Sequence, residues 1–242
     1  MNNAPQKILV TGFPHSGTTI LRAKIGECKS VYDEPKEFGD PPNYSPALPY
    51  KWYVWKHPFL HREFRNYTFK IKPNSQFSNV IVIPILRNPW NVFTSLKQRG
   101  EKTGDFDIRD NNQGHSLAYY FNAAEVFLDA LKNNYEGVYP IKYEDMFLDN
   151  FKKLKEIFDK IGLEYDDNIF TTKTKTYRNN ESEYIENLDE LHKIGGDIRI
   201  WQINQKFENF NKVVDIPDDI SEKLSTHWTT KELGYTDPRL TN

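Results

Sequence analysis

Residues 7–25 read KILVTGFPHSGTTILRAKI, and this stretch decides the fold. Ile8 to Thr11 is a short apolar strand, Gly12 to Gly17 a tight loop with a glycine at each end, and Thr18 opens a helix. A strand that runs through such a loop into a helix turns several backbone N–H groups toward one point. The positive end of the helix dipole points there too, so the unit is an anion site. The spacing G-x-x-x-x-G followed by two hydroxyl residues is that of a phosphate-binding P-loop. At one position the chain departs from that pattern: Thr18 stands where a nucleotide triphosphatase carries lysine.

Outward from this unit, strand and helix signals alternate. Ser30 to Glu34 is a short strand ending in acidic residues, and Pro35 to Tyr50, with five prolines, reads as a surface loop. Lys51 to Trp55 is an aromatic strand that stops at Lys56-His57-Pro58, and Phe59 to Phe64 is a short helix. Asn79 to Leu86, NVIVIPIL, has the length and composition of a buried parallel strand. Pro84 within it argues against a central position. Pro89 starts a helix running to Arg99, Gly100 to Gly114 is a polar loop, and Ser116 to Leu131 is a long amphipathic helix. Gly137 to Ile141 is a further strand, Phe151 to Ile161 a helix closed by Gly162, and Pro217 to Trp228 a last helix. The alternation predicts an α/β, three-layer P-loop-type fold, a central parallel sheet flanked by helices. Ligands of such sheets sit beyond the carboxyl ends of the strands. Ser16 to Thr19, Asp33-Glu34, Lys56-His57, Arg87 and Tyr143-Glu144 each follow a strand, so five segments converge on one rim.

Composition narrows the function classes. The chain has 242 residues, 38% hydrophobic and 27% charged, which suits a single domain over residues 1–242. Residues 7–160 carry the strand-end signals, and residues 161–242 read as a helical and loop part closing over the site. A formal charge of −2 makes no global case for nucleic acid or membrane binding. Cys28 is the only cysteine, which excludes internal disulfides and favours a reducing compartment. With no signal pattern and no apolar run of membrane length, a cytoplasmic protein is expected. His115 and His192 read as solvated, and no His/Cys spacing suggests a metal.

The missing lysine points away from triphosphate chemistry. A kinase needs that lysine and a metal-holding aspartate, whereas NVIVIPIL ends in Arg87, whose charge would repel Mg²⁺. The anion should need no metal and offer Arg87 a second negative group. Here the residues resemble the sulfotransferases that use 3′-phosphoadenosine 5′-phosphosulfate (PAPS), closest to the tyrosylprotein and carbohydrate branch. That family's 5′-phosphosulfate loop, G-x-x-[RKH]-S-G-T-T, is matched by GFPHSGTT, and its 3′-phosphate arginine and serine by Arg87 and Ser95. The branch adds an arginine matched by Arg99, a K-x-P lysine matched by Lys56, a glutamate before proline matched by Glu34, and Y-E-[DQ] matched by Tyr143-Glu144-Asp145.

What the resemblance implies is specific. Pro14, His15, Ser16, Gly17, Thr18 and Thr19 would cradle the 5′-phosphosulfate, and Arg87, Ser95 and Arg99 would hold the 3′-phosphate. Tyr143 would stack on the adenine, while Lys193 and Gly195 in HKIGGDIRIWQ would extend the cofactor site. Lys56 would neutralise the leaving phosphate oxygen, His15 would assist near the sulfuryl group, and Glu34 would be the base, with Glu37, Asp33 and His57 as alternatives. The acceptor would be a hydroxyl of a carbohydrate, a peptidyl tyrosine or a small metabolite, with no metal. Two other readings stay open: a small-molecule kinase with a degenerate P-loop, and a non-catalytic nucleotide-binding module.

Overall fold

The computed structural model describes residues 5–37, 50–58, 79–103, 115–172, 207–209 and 213–240. Five strands form one parallel sheet: β1 (Gln6–Gly12), β2 (Val31–Glu37), β3 (Trp52–His57), β4 (Val80–Leu86) and β5 (Ile141–Lys142), in the order β2-β3-β1-β4-β5. The helices are α1 (Thr18–Gly26), α2 (Pro89–Thr103), α3 (Leu117–Asn133), α4 (Lys152–Ile161), α5 (Asp218–Thr226) and α6 (Trp228–Glu232). Short 3₁₀ turns lie at Glu144–Phe147, Asp167–Phe170 and Pro238–Leu240. No described helix is long and apolar enough to cross a membrane.

The two-residue period of the strands sorts the side chains into two cores. On one face Ile8, Val10, Val54, Ile83 and Ile85 meet α1 and α4 through Leu21, Ile25, Leu154 and Phe158. On the other, Leu9, Tyr53, Trp55 and Val82 meet α2, α3 and α5 through Trp90, Phe93, Tyr120, Phe127, Ile220 and Leu224. This is the expected three-layer arrangement. The described part of the C-terminal third divides between the layers: Leu163, Phe170 and Phe207 join the first, and Ile216, Ile220, Leu224 and Leu233 the second.

Proline and glycine account for most differences from the sequence reading. β2 continues through Pro35 to Glu37, because it is an edge strand and its ladder with β3 shifts register between Asp33 and Glu37. Pro84 sits in β4, an interior strand, contrary to expectation. Val82 donates to Gly137 O and accepts from Tyr139 N, and Leu86 accepts from Tyr143 N, so every second residue of β4 faces β5. Pro84 shares that side, and falls in the gap between the Val82–Val138 bridge and the Ile85–Ile141 pair, where no ladder needs its N–H. β5 itself is shorter than Gly137 to Ile141 because Pro140 cannot donate.

α2 runs on through Gly100 to Thr103, and Asn88 Oδ1 caps it by accepting from Trp90 N at 3.0 Å. The last helix is two: the chain extends at His227, whose Nδ1 accepts from Thr229 N at 3.3 Å and starts α6. The predicted helix at Phe59 to Phe64 and the bodies of both polar loops lie outside the described residues.

Candidate active site

The loop between β1 and α1 has the geometry an anion site requires. His15 (φ 66°) and Gly17 (φ 97°) adopt left-handed backbone, which folds the loop back on itself so that Ser16 N donates to Phe13 O at 3.0 Å. The first helical N–H to find a helix partner is that of Leu21, on Gly17 O at 3.0 Å, so the amides before it point out of the helix end. Ser16 is fully buried, and its Oγ has no hydrogen-bond partner among the described residues. A buried hydroxyl in that state costs free energy unless a ligand meets it. Glycine is needed at both ends of the loop: a Cβ on Gly12 would stand 2.3 Å from Ile85 O, and one on Gly17 2.5 Å from Tyr143 Cδ2. Pro14 and Thr18 are buried, and Thr19 is half-buried.

The cation absent at Thr18 comes from the neighbouring strand. Lys56, in register with Val10 of β1, is only 7% exposed and donates from Nζ to Thr19 Oγ1 at 2.7 Å. Its ammonium therefore lies on the α1 face, beside the helix N-terminus. His57 alternates with it and takes the other face, next to Thr11 across the ladder.

The acidic rim on β2 divides in the same way. Asp33 faces α1 and pairs with Arg22 Nε at 3.0 Å, both side chains almost fully buried. Arg22 also donates to Glu34 O at 2.7 Å, so α1 is bolted to the end of β2. This ion pair gives the buried Asp33 carboxylate a compensating charge on α1. The Glu34 carboxylate takes the opposite face, where Tyr53 OH donates to Oε2 at 2.9 Å and Tyr32 stacks on Tyr53 at 5.4 Å. Glu37 pairs through its backbone with Lys56.

Arg87 follows β4 and is 7% exposed, its guanidinium carbon 4.2 Å from the centroid of Tyr143. Burial lowers the proton affinity of Arg87, and the nearby Tyr143, Glu144 and Tyr235 oppose that shift. Tyr143 is 3% exposed: its ring touches the loop at Gly17 and Arg87, and its hydroxyl donates to Glu208 O at 3.4 Å. The ring packs against both, so Tyr143 joins the loop to Arg87. Ser95 is buried on α2 and donates to Asn91 O at 2.9 Å, and Arg99 lies one turn on, close enough that its charge adds to burial in lowering the His115 pKa. Asn91, Ser95 and Arg99 share one helix face. Lys193 and Gly195 lie outside the described residues.

Three contributors escaped the sequence reading. Arg22 carried no motif. Glu144 was noted only within Y-E-D, yet its Oε1 accepts from Asn88 N at 2.8 Å, and burial pushes its carboxyl above the usual range against the pull of that amide and of Arg87. Tyr235 reaches Leu86 O at 3.3 Å from the far end of the chain.

Comparison with known proteins agrees with this architecture. The sulfotransferase domain from the curacin biosynthetic pathway shares the fold with a TM-score of 0.57 at 15% identity, over 98% of this chain and all of that one. The sulfotransferase domain of the Synechococcus PCC 7002 olefin synthase gives 0.55 at 15%, over 98% and 97%. Retinol dehydratase, solved with androsterone and the inactive cofactor PAP, gives 0.51 at 16%, over 98% and 84%. No curated protein sequence matches the chain. Residues 5–233 match the family model described as a sulfotransferase domain, a span that runs from the start of β1 through the end of α6, and the chain belongs to that family.

Proposed function

We propose that the protein transfers a sulfuryl group from PAPS to an acceptor hydroxyl by in-line displacement. The observation that carries this reading is the 2.7 Å bond from Lys56 to Thr19, a cation delivered to the anion loop from β3 in place of a loop lysine. The residues present fit the donor. The Ser16 hydroxyl, which has no partner among the described residues, the outward amides at the start of α1 and the Thr18 and Thr19 hydroxyls suit its 5′-phosphate end. Arg87, with Ser95 and Arg99, suits a 3′-phosphate. Bound there, PAPS supplies an activated sulfuryl group on a phosphate leaving group.

The protein's own contribution is position and charge. Lys56 neutralises charge developing on the leaving oxygen, and His15 assists from the anion loop. Displacement in line needs the base opposite the leaving group. Glu34 is the base in this reading, supported by the Tyr53 hydroxyl that orients its carboxylate at the end of the same sheet. His57 shares the Glu34 face and is the alternative base. The acceptor is a hydroxyl of a carbohydrate, a peptidyl tyrosine or a small molecule. The buried thiol of Cys28, the chain's single cysteine, supports a cytoplasmic setting.

Thermal-shift titration tests the reading against its rivals. Adenosine 3′,5′-bisphosphate should stabilise the protein, and ATP with magnesium should not. A shift with Mg-ATP alone would establish a kinase-like site and overturn the proposal. Glu34→Gln should abolish turnover with bisphosphate binding retained; if His57→Asn does so instead, the base is His57. Loss of turnover in neither, with binding intact, would favour a silent nucleotide-binding module.

A further inference from the structure

Arg87 stands on a two-residue turn between β4 and α2 whose polar groups are held from three directions. Arg87 O accepts from Tyr120 OH at 2.8 Å, and Asn88 N donates to Glu144 Oε1 at 2.8 Å. Tyr235 OH lies 3.3 Å from Leu86 O and 3.4 Å from Glu144 Oε2. Asn88 Nδ2 donates to Thr236 O at 3.1 Å. Lys142, two residues before Glu144, donates to Leu233 O, so the same C-terminal stretch is bonded to the end of β5. Tyr235 and Thr236 fall beyond residue 233, where the family match ends.

We propose that Glu144 and Tyr235 are positioning residues for Arg87, a buried carboxylate and a C-terminal hydroxyl that hold the turn so its guanidinium meets the 3′-phosphate. The proposal rests on the reading of Arg87 given above. Neither side chain needs to touch the nucleotide. A guanidinium fork binds best from a fixed backbone, and besides the Asn88 cap on Trp90 N this turn is held by groups from outside it. Tyr143 sets the plane of the guanidinium from one side, and the Asn88–Glu144–Tyr235 bonds set where its stem begins. Glu144 also keeps a negative charge near Arg87, which moderates the cost of burying that cation.

The test compares affinities for adenosine 3′,5′-bisphosphate and adenosine 5′-phosphate, ligands that differ only at the 3′ position. Glu144→Ala should reduce the preference for the bisphosphate about ten- to a hundredfold and leave 5′-phosphate affinity within about threefold. Glu144→Gln keeps an acceptor for Asn88 and should restore most of the preference. Tyr235→Phe removes one hydroxyl without threatening the fold, and should lower the preference about three- to tenfold. In an Arg87→Ala background neither substitution should matter further. Equal loss of both affinities would mean a purely structural role and overturn the proposal, as would unchanged preference in both Glu144→Ala and Tyr235→Phe. If the unmodified protein shows no preference for the bisphosphate, the Arg87 reading itself falls and takes this inference with it.

Discussion

Replacing Gly17 with alanine tests whether the loop and Arg87 are one unit. Two costs add. A left-handed φ of 97° is strained for any L side chain, by about 1–2 kcal/mol. The new Cβ would then lie 2.5 Å from Tyr143 Cδ2 and 2.9 Å from Cε2, so the ring must move. Forcing a methyl into a packed site costs a further amount of about 1–3 kcal/mol. Gly162 supplies the control, since its φ is 76° but a Cβ there meets nothing within 4 Å. Gly162→Ala should therefore lower Tm by about 2–8 °C, and Gly17→Ala by about 4–20 °C. The clash has a second effect, because the ring that must move lies 4.2 Å from the Arg87 guanidinium carbon. Calorimetric titration of folded Gly17→Ala with adenosine 3′,5′-bisphosphate should show affinity down at least about tenfold; Gly162→Ala should bind normally. Equal losses of Tm in the two variants, together with unchanged bisphosphate affinity, would refute the reasoning.

Other perturbations separate chemistry from scaffold. Lys56→Met keeps the apolar stem and removes the ammonium, so kcat should fall about 10²–10³-fold with Tm nearly unchanged; turnover within about threefold of the parent would remove Lys56 from the mechanism. Asp33→Asn strands the buried Arg22 charge and should cost about 3–5 kcal/mol in denaturant unfolding, while the folded fraction still binds the bisphosphate. His227 has its pKa lowered by burial, so the unfolded chain takes up that proton first. Stability should then fall as pH drops from about 7 through the unfolded value near 6.5, and the loss should stop growing below the folded pKa. His227→Asn retains a capping side chain and should lose less Tm over that range; parallel Tm profiles would show that His227 does not titrate in this way.

Much of the fold was legible because its signals are local. The apolar run at Ile8 to Val10, the paired glycines and the hydroxyls of Thr18 and Thr19 all lie within one short stretch that dictates its own conformation. Prolines misled the reading because their meaning depends on the neighbouring strand. Pro35 is tolerated by an edge, and Pro84 by a gap in a ladder that only the completed sheet reveals. Gly100 likewise stops nothing: α2 runs past it, with Lys97 paired to Glu101 one turn on. The site was legible where a residue ends a strand, as with Lys56 and Arg87. It was illegible where a residue works at a distance. Glu144 meets Asn88 across 56 positions and Tyr235 meets Leu86 across 149, and no local pattern marks either pair. Asp33 and Glu34 are adjacent in sequence, and only the pleat sends one to Arg22 and the other to Tyr53.

The pairing of Val10 with Lys56 has a consequence for which insertions and deletions the gene can accept. Side chains alternate across a strand, so removing a single residue between Trp52 and Trp55 while the sheet keeps its pairing would carry the ammonium to the α2 and α3 face. The same slip would invert Trp55, so loss of activity and loss of core packing arrive together. Length changes between β2 and β3 carry no such penalty, because a longer connection adds only a slowly growing closure entropy. Drift in this protein is therefore channelled: the connection can lengthen or shorten, while the six residues of β3 must be inherited as a block.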